Sequence, residues 1–262
     1  MPAVTKLTNS LGGELIFPDW PAPASVRSVS TTRLGGVSLP PYDSLNLGTH
    51  VSDDPVAVME NRRRLSQFAT FPAEPVWLTQ VHCVDVVDAA TAVIGTSADA
   101  SFSAEPLVVC AIQTADCLPV LFCDAAGQFV AAAHAGWRGL VAGVLEKTVA
   151  AMCERGASSA SMLAWLGPAI GPQVFEVGEE VRTAFLSHDP AAAKAFVLQA
   201  EGQWLADIFL LARQRLAACG VTRIYGGGVC TFSDSGRFFS HRRDRLSGRQ
   251  ASLIWLDSSS RS

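Results

Sequence analysis

The stretch LVVCAIQTADCLPVLFCDAAGQFVAAAHA, residues 107–135, decides the fold class of this chain. It holds three apolar runs of strand length, 107–113, 118–124 and 128–135, which are separated by short breaks with polar or glycine residues. Continuous apolar runs of this length, bounded by turn residues, are typical of strands that are buried on both faces. We therefore predict three buried strands in the middle of the chain.

Strand-like and helix-like segments alternate irregularly on both sides of this stretch, and several of them form strand–turn–strand pairs. This order favours a mixed α/β or α+β fold over a doubly wound parallel sheet. The sequence contains no evident linker, low-complexity tract or repeat. We expect a single domain over residues 1–262, built as a sandwich of mixed sheets with flanking helices.

Four further segments carry specific expectations. A helix is predicted over 54–68, because Asp and Pro stand where a cap and a first turn would be. Apolar residues at helical spacing predict one amphipathic helix over 140–156, which ends at a glycine. We also expect a helix over 204–219 and a strand over 237–241.

The composition restricts the class of protein. The chain is 49% hydrophobic and 17% charged, which is typical of a compact globular protein. Its net charge of −4 gives no indication of nucleic acid or an anionic membrane as a partner. The cysteine count of 7 is odd, and the cysteines are scattered, which argues against a disulfide framework. With neither a signal peptide nor an apolar membrane span in evidence, we expect a cytosolic protein.

Two histidines and a cysteine end strand-like segments beside turns: His82, Cys117 and His134. A two-histidine, one-cysteine set is a known arrangement for catalytic zinc, because it leaves a fourth position open. The same residues fit a second interpretation, in which Cys117 is a nucleophile, His134 its base and Asp116 the group that orients the imidazole. A third interpretation is that the cysteine and histidines only pack in the core. The residue types alone leave these alternatives open.

Several longer segments resemble one family. They are STTRLGGVSLPPYDSLNLGTHVSDDP (30–55), NRRRL (61–65), WLTQVH (77–82), TADCLPVLF (114–122), HAGWRGL (134–140), WLGPAIGP (165–172) with VFEVGEEV (174–181), and SHRRD (240–244) with SGRQASLIWL (247–256). In this order they are similar to the YfiH/YlmD-type proteins. These proteins are also called polyphenol oxidase or laccase-domain proteins and, in bacteria, peptidoglycan editing factor.

The resemblance implies a function and a fold. Its implied activity is that of a purine nucleoside phosphorylase on adenosine, inosine and methylthioadenosine, with an associated adenosine deaminase activity. The implied metal is Zn²⁺, and its ligands fall on His82, Cys117 and His134. Cu²⁺ could occupy the same residues, because it outcompetes Zn²⁺ for most nitrogen and sulfur ligand sets. The implied fold is similar to the catalytic domain of cytotoxic necrotizing factor toxins. Purine nucleosides and phosphate are then the expected small-molecule partners, with no obligate protein partner.

On this reading we assign provisional roles to other polar residues. Arg33 and one of Arg242 or Arg243 are candidates for binding phosphate, because the guanidinium fork matches phosphate oxygens. Asn46 is a candidate for binding the purine edge or the ribose. Asp116 is the candidate general acid or a support for a metal ligand.

Other functions remain as alternatives. Cys117 and His134 could serve a hydrolase or amidase that acts on peptidoglycan precursors, and a noncatalytic zinc-stabilised protein is a further possibility. A copper-dependent polyphenol oxidase is the third alternative, although 5 histidines are too few for a conventional multicopper oxidase. Cys83, which follows His82, is expected to turn to the other face of its strand and to lie outside the site.

Overall fold

The structure, a computed structural model, describes residues 5–8 and 12–258. Its strands are β1 (Thr5–Thr8), β2 (Glu14–Phe17), β3 (Val26–Thr31), β4 (Val76–Trp77), β5 (Val86–Asp88), β6 (Ala100–Ser103), β7 (Cys110–Thr114), β8 (Leu118–Asp124), β9 (Val130–Ala135), β10 (Met162–Leu166), β11 (Glu176–Gly178), β12 (Phe196–Ala200), β13 (Gln203–Ala206), β14 (Arg223–Gly226) and β15 (Gln250–Leu256). Its α-helices are α1 (Pro55–Ala69), α2 (Trp137–Ala142), α3 (Val144–Glu154), α4 (Glu179–His188), α5 (Ile208–Ala218) and α6 (His241–Asp244). Short 3₁₀ helices occupy Ser159–Ser161 and Pro190–Ala195.

The strands form three sheets. The first has the order β1-β2-β3-β15-β7-β4, and the second has the order β14-β10-β8-β9-β6-β5. Most neighbours are antiparallel, but β4–β7, β5–β6 and β10–β14 are parallel pairs. A third, small sheet has the order β11-β13-β12. The mixed α/β fold predicted from the sequence is confirmed.

The two large sheets pack face to face, and helices cover their outer faces. Between the sheets, Ile112 and Ile254 of the first meet Leu121 and Leu163 of the second. The outer face of the second sheet packs against α3, α4 and α5, and the outer face of the first packs against α1. No helix among the described residues is long and apolar enough to cross a bilayer.

The three central strands are confirmed as β7, β8 and β9, and every residue in them is buried. In β8, Val120 and Phe122 face the helices, whereas Leu121 and Cys123 face the first sheet. A strand buried on both faces has no polar side to alternate with, which is why its sequence is continuously apolar. Burying a Leu, Ile or Phe side chain contributes about 1.5–3 kcal/mol, so these strands supply much of the stability.

Among the four further segments, the helix over 54–68 is confirmed as α1, whereas the helix over 140–156 is interrupted. Gly143 adopts φ 101°, a left-handed conformation that ends α2 and turns the chain into α3. Hydrophobic spacing could not reveal this break, because the apolar positions keep their period through it. The chain does leave α3 at Gly156, which has φ 107°.

Two other predictions are wrong in part or in full. The helix over 204–219 begins only at α5, because Gln203–Ala206 pairs as β13 and Asp207 caps the helix. The strand over 237–241 is absent from the described structure. There the Phe239 amide donates to the side chain of Gln250 at 2.9 Å instead of to a neighbouring strand, and Ser240 caps α6.

Candidate metal centre

The register of the second sheet places three functional side chains in one row. Pro119 of β8 is opposite His134 of β9, and Cys117 lies just before β8, with its Sγ atom in one cluster with the ring of His134. On the other side of β9, Ala133 pairs with Ala100 of β6, so Asp99 falls opposite His134. Side chains on one face of adjacent strands are close enough for contact. The row across the end of the sheet is therefore Cys117, His134 and Asp99.

His82 reaches this row from the loop between β4 and β5. Its backbone has φ 61°, which is uncommon for a residue other than glycine. This conformation points three successive amides, those of Val81, His82 and Cys83, at the Asp99 carboxylate, over distances of 2.9, 3.0 and 2.8 Å. Successive amides of this kind form a concave site for an anion. Asp99 is fully buried and thereby fixes the loop that carries His82.

The ligand atoms of His82, Cys117 and His134 lie within 4.8 Å of one another. The Cys117 Sγ atom is 3.8 Å from His82 Nε2, and the two imidazole rings are 4.8 Å apart and nearly perpendicular. Two ligands of one zinc ion, at about 2.1 Å for nitrogen and 2.3 Å for sulfur, are at most about 4.4 Å apart. One ion could therefore contact all three after small side-chain adjustments.

The surroundings of the cluster also fit a metal ion. His134 Nδ1 lies 2.6 Å from Asp99 Oδ1, so the imidazole donates there, and its other nitrogen, which interacts with Cys117, could bind an ion once deprotonated. A carboxylate that orients a metal-binding histidine is the usual arrangement at such sites. Gly136 lies against the cluster, because a Cβ atom there would be 2.9 Å from both Cys117 Sγ and His82 Cδ2. Cys83 is not in the cluster of His82, Cys117 and His134, and it lies in a loop rather than in the strand from which its orientation was predicted.

The charges in the cluster act on one another. Burial raises the pKa of the Cys117 thiol, but His134 and His82 outweigh this effect and lower it to about 6. Burial lowers the pKa of His134, whereas Cys117 and Asp99 raise it to about 9. Burial also raises the pKa of Asp99, but its bond to His134 holds the value well below the usual range. The cluster therefore favours a thiolate, the form that binds a metal or attacks as a nucleophile.

A cavity of about 170 Å³ opens onto His82 and Cys117. Its other lining residues are apolar side chains, two arginines, one histidine and one acid: Ala115, Asp116, Trp137, Arg138, Ile170, Phe175, Ile208, His241 and Arg242. A larger cavity of about 580 Å³ lies elsewhere, between Phe17, Trp20 and Trp255. None of the cluster residues lines that larger cavity, so the smaller one is the candidate site.

Asp116 holds a neighbouring segment in place. Its backbone has φ 91°. Its carboxylate accepts hydrogen bonds from Thr231 Oγ1 at 2.7 Å, from Ser240 Oγ at 3.0 Å and from the Arg242 amide at 2.7 Å. The residue that orients His134 is therefore Asp99, and Asp116 instead ties the start of α6, with Arg242, to the cavity.

The structure does not bring Arg33, Asn46 and Arg243 to this cavity. Arg33 donates to the backbone and carboxylate of Asp43 and to a further carbonyl. Asn46 is fully buried, and its amide bonds Asp53 and backbone groups of its own loop and of Arg249. Arg243 donates to three carbonyl oxygens and to Asp244. The substrate contacts of these three residues stay predictions, and each would require internal bonds to rearrange.

Sequence reasoning missed Asp99 and Arg138. Asp99 precedes a short strand of small and polar residues, and only its pairing with β9 shows that it meets His134. Arg138 follows His134 by four residues in HAGWRG, which was a detectable signal. Its position on the cavity depends on α2, which starts one residue before it.

The fold and the site together define a class: a mixed α/β protein with an open two-histidine, one-cysteine cluster beside a cationic cavity. Residues 27–257 match the family described as multi-copper polyphenol oxidoreductase laccase, and the chain belongs to this family. The family resemblance found in the motifs is thereby confirmed.

Relatives and solved structures agree with this assignment. The chain is 56% identical over 244 residues to the Escherichia coli protein named purine nucleoside phosphorylase YfiH, covering 93% of this chain and 99% of that protein. It is 59% identical over 242 residues to a purine nucleoside phosphorylase of Pseudomonas aeruginosa, covering 92% and 98%. The crystal structure of YlmD from Geobacillus stearothermophilus superposes with a TM-score of 0.90 at 29% identity, covering 98% and 100%. A Neisseria meningitidis structure gives 0.89 at 52% identity, covering 93% and 99%.

Proposed function

We propose that this protein is a zinc-dependent purine nucleoside phosphorylase. It would convert adenosine, inosine or S-methyl-5′-thioadenosine and phosphate into the free base and the corresponding ribose 1-phosphate. It would also deaminate adenosine at the same site. The observation that carries the proposal is the cluster of His82, Cys117 and His134 on a cavity that also presents arginines. The names of the relatives support the reaction class.

The chemistry of phosphorolysis explains how these residues would act. A phosphate oxygen bonds to C1′ of the ribose, the bond from C1′ to the purine nitrogen breaks, and the leaving purine takes up a proton. A zinc ion on His82, Cys117 and His134 would supply Lewis-acid stabilisation of an oxygen anion. The apolar side chains of the cavity would limit the access of competing water. Arg242 is the predicted phosphate ligand that does line the cavity.

The hydrogen bonds of Asp116 do not favour its predicted role as general acid. Both of its oxygens already accept hydrogen bonds from protein donors. A carboxylate engaged in this way is better suited to hold Arg242 than to deliver a proton to a purine.

One experiment tests the proposed function. Protein purified without added metal is assayed for bound Zn²⁺ and Cu²⁺ by mass spectrometry and is then incubated with each nucleoside and phosphate. We expect bound zinc, free base and ribose 1-phosphate, with activity lost on chelation and recovered with Zn²⁺. Absence of ribose 1-phosphate from the native protein would contradict the phosphorylase assignment. Bound copper with oxidation of phenols would instead support the polyphenol oxidase alternative.

A second function is favoured by one observation. Cys117, His134 and Asp99 form a row in which an acid orients a histidine beside a cysteine. This is the order of groups in a cysteine hydrolase, which would suit an amidase that acts on peptidoglycan precursors. Such an enzyme has no need of His82 as a third ligand, and its activity would survive chelation. The position of His82 is therefore the reason to prefer the metal site.

A further inference from the structure

We infer that Arg138 and Arg242 together bind the phosphate co-substrate at the mouth of the cavity. This inference rests on the proposed phosphorylase function and adds Arg138, which lies on a different element from Arg242, to its site. Arg138 lies in α2 and Arg242 in α6, and both line the cavity that contains His82 and Cys117.

Arg138 has a guanidinium group that is available to a ligand. The group is exposed and lies over the ring of Trp137, 4.4 Å from its centroid. Among the described residues, no carboxylate or carbonyl oxygen is bonded to it. Most other arginines of the described structure are paired, as Arg33 is with Asp43 and Arg243 is with Asp244. An unpaired guanidinium stacked on an indole is already oriented, so little conformational freedom is lost when it binds an anion.

Arg242 is held by two hydrogen bonds that leave part of its guanidinium group available to a ligand. Its amide donates to Asp116, and its Nη1 atom donates to the carbonyl of Glu176 at 2.8 Å. Its guanidinium carbon lies 5.7 Å from the centroid of Phe175. The Nε and Nη2 atoms have no protein acceptor among the described residues and can donate to a ligand. Guanidinium N–H groups match phosphate oxygens in geometry and charge.

The charge balance and the size of the cavity point to the same ligand. Asp116 is the one acid among its lining residues, and both oxygens of that carboxylate are already hydrogen-bonded, while Arg138, Arg242 and His241 supply the basic groups. A volume of about 170 Å³ is below the range of roughly 300–1,000 Å³ that encloses drug-sized ligands. The cavity is therefore small, and Arg138, which is exposed and lines it, places the phosphate at its entrance.

The test measures phosphate dependence separately from nucleoside dependence. Arg138→Ala and Arg242→Ala are each assayed with inosine at saturation and phosphate varied. We expect the KM for phosphate to rise about 10- to 100-fold, since a charged hydrogen bond is worth roughly 1.5–3 kcal/mol. The KM for phosphate should rise by a larger factor than the KM for inosine, because the two arginines are proposed to contact the phosphate. Arg138→Lys should recover part of the loss, because it keeps the charge but not the fork.

Arg182→Ala is the matched control. Arg182 also stacks on a tryptophan, Trp204 at 4.2 Å, but it does not line the cavity. It should keep the wild-type KM for phosphate. An unchanged KM for phosphate in both cavity variants would overturn the inference.

A second measurement separates this inference from the proposed function. If the wild type shows no phosphorolysis, binding of inorganic phosphate is measured by isothermal titration calorimetry on the same variants. Binding by the wild type that Arg138→Ala and Arg242→Ala both weaken sustains the anion site even though the phosphorylase assignment fails. Equal binding in all variants, or no binding by the wild type, overturns the site.

Discussion

Asp99 connects the two halves of the candidate metal centre. Its carboxylate accepts the amides of the loop that carries His82, and it also bonds the ring of His134. We expect Asp99→Asn to lower the affinity for Zn²⁺ by about 10- to 100-fold, because it removes the negative charge that faces His134 and replaces one acceptor oxygen by an NH2 donor. Competition with a chromophoric chelator measures this loss. Asp85→Asn, an exposed acid near the same loop, should bind zinc like the wild type. Equal affinity in all three proteins would show that Asp99 has no role in the site.

Gly136 is required by the close packing of the ligands. The added Cβ of Gly136→Ala would approach Cys117 Sγ and His82 Cδ2 to 2.9 Å, a distance at which one ligand must shift. We expect this variant to lose most of its bound zinc while the protein stays folded, as judged by metal analysis and circular dichroism. Gly236→Ala is the control, because the nearest atom to its Cβ would be 3.9 Å away. A zinc content equal to that of the control would mean that the ligands tolerate the methyl group.

The three residues of the candidate metal cluster could be identified from the sequence, although residue types alone left their role open, whereas the acid that supports them could not. A polar side chain at the end of an apolar run differs clearly from its neighbours, and this is where the sequence has His82, Cys117 and His134. Asp99 precedes a strand of small and polar residues, so it differs less clearly from its neighbours in polarity. Its role depends on the pairing of that strand with the strand that carries His134, 35 residues later in the chain. Long-range register of this kind is invisible to local patterns.

At the scale of the helices and strands, a prediction from local sequence is confirmed where neighbouring residues alone determine the structure. Asp54 caps α1 through the amide of Val56 at 2.9 Å, as its position before Pro55 indicated. The predicted strand and helix are wrong at positions where contacts with distant residues or a glycine determine the local structure. Phe238 and Phe239 are apolar enough for a strand, but Ser240 and Asp116 fix the next residues as a helix. Gly143 breaks a helix whose apolar period continues on both sides of it.

The end of α1 offers a stabilising substitution. Thr70 ends the helix in the left-handed conformation, with φ 54° and ψ 50°, which is unfavourable for a β-branched residue. We expect Thr70→Gly to raise the free energy of unfolding by about 0.5–1 kcal/mol, because relief of a strain of about 1–2 kcal/mol exceeds the entropic cost of glycine. Thr183→Gly, within α4, should instead lower it by about 0.5–1 kcal/mol. Urea unfolding measures both, and a loss of stability in Thr70→Gly would contradict the prediction.

At the scale of the whole molecule, the site depends on how the second sheet is assembled. The three residues of the candidate metal centre come from the loop before β5, the turn before β8 and the end of β9. In β8 and β9 the apolar sequence only specifies burial. The antiparallel register then brings Cys117 and His134 to the same end of the sheet, where their side chains lie in one cluster. The continuous apolar runs therefore predict the fold class, and their ends indicate the end of the second sheet at which the candidate metal centre lies.

This assembly gives a test of the metal that does not depend on activity. An ion that binds only the folded state stabilises it by about 4 kcal/mol at 1,000 times its Kd, so chelated protein should melt several degrees below zinc-loaded protein. Differential scanning calorimetry of both forms measures the difference. Cys117→Ala should abolish most of it, because the thiolate ligand is lost.

Cys83→Ala is the matched control for the same measurement, because Cys83 adjoins His82 but lies outside the ligand cluster. It should keep the full zinc-dependent shift in Tm. Loss of the shift in Cys83→Ala would make Cys83 a ligand. Equal melting of chelated and zinc-loaded wild-type protein would contradict the zinc site and favour the alternative in which Cys117, His134 and Asp99 serve a cysteine hydrolase. The melting temperatures therefore decide whether the cluster of His82, Cys117 and His134 binds zinc.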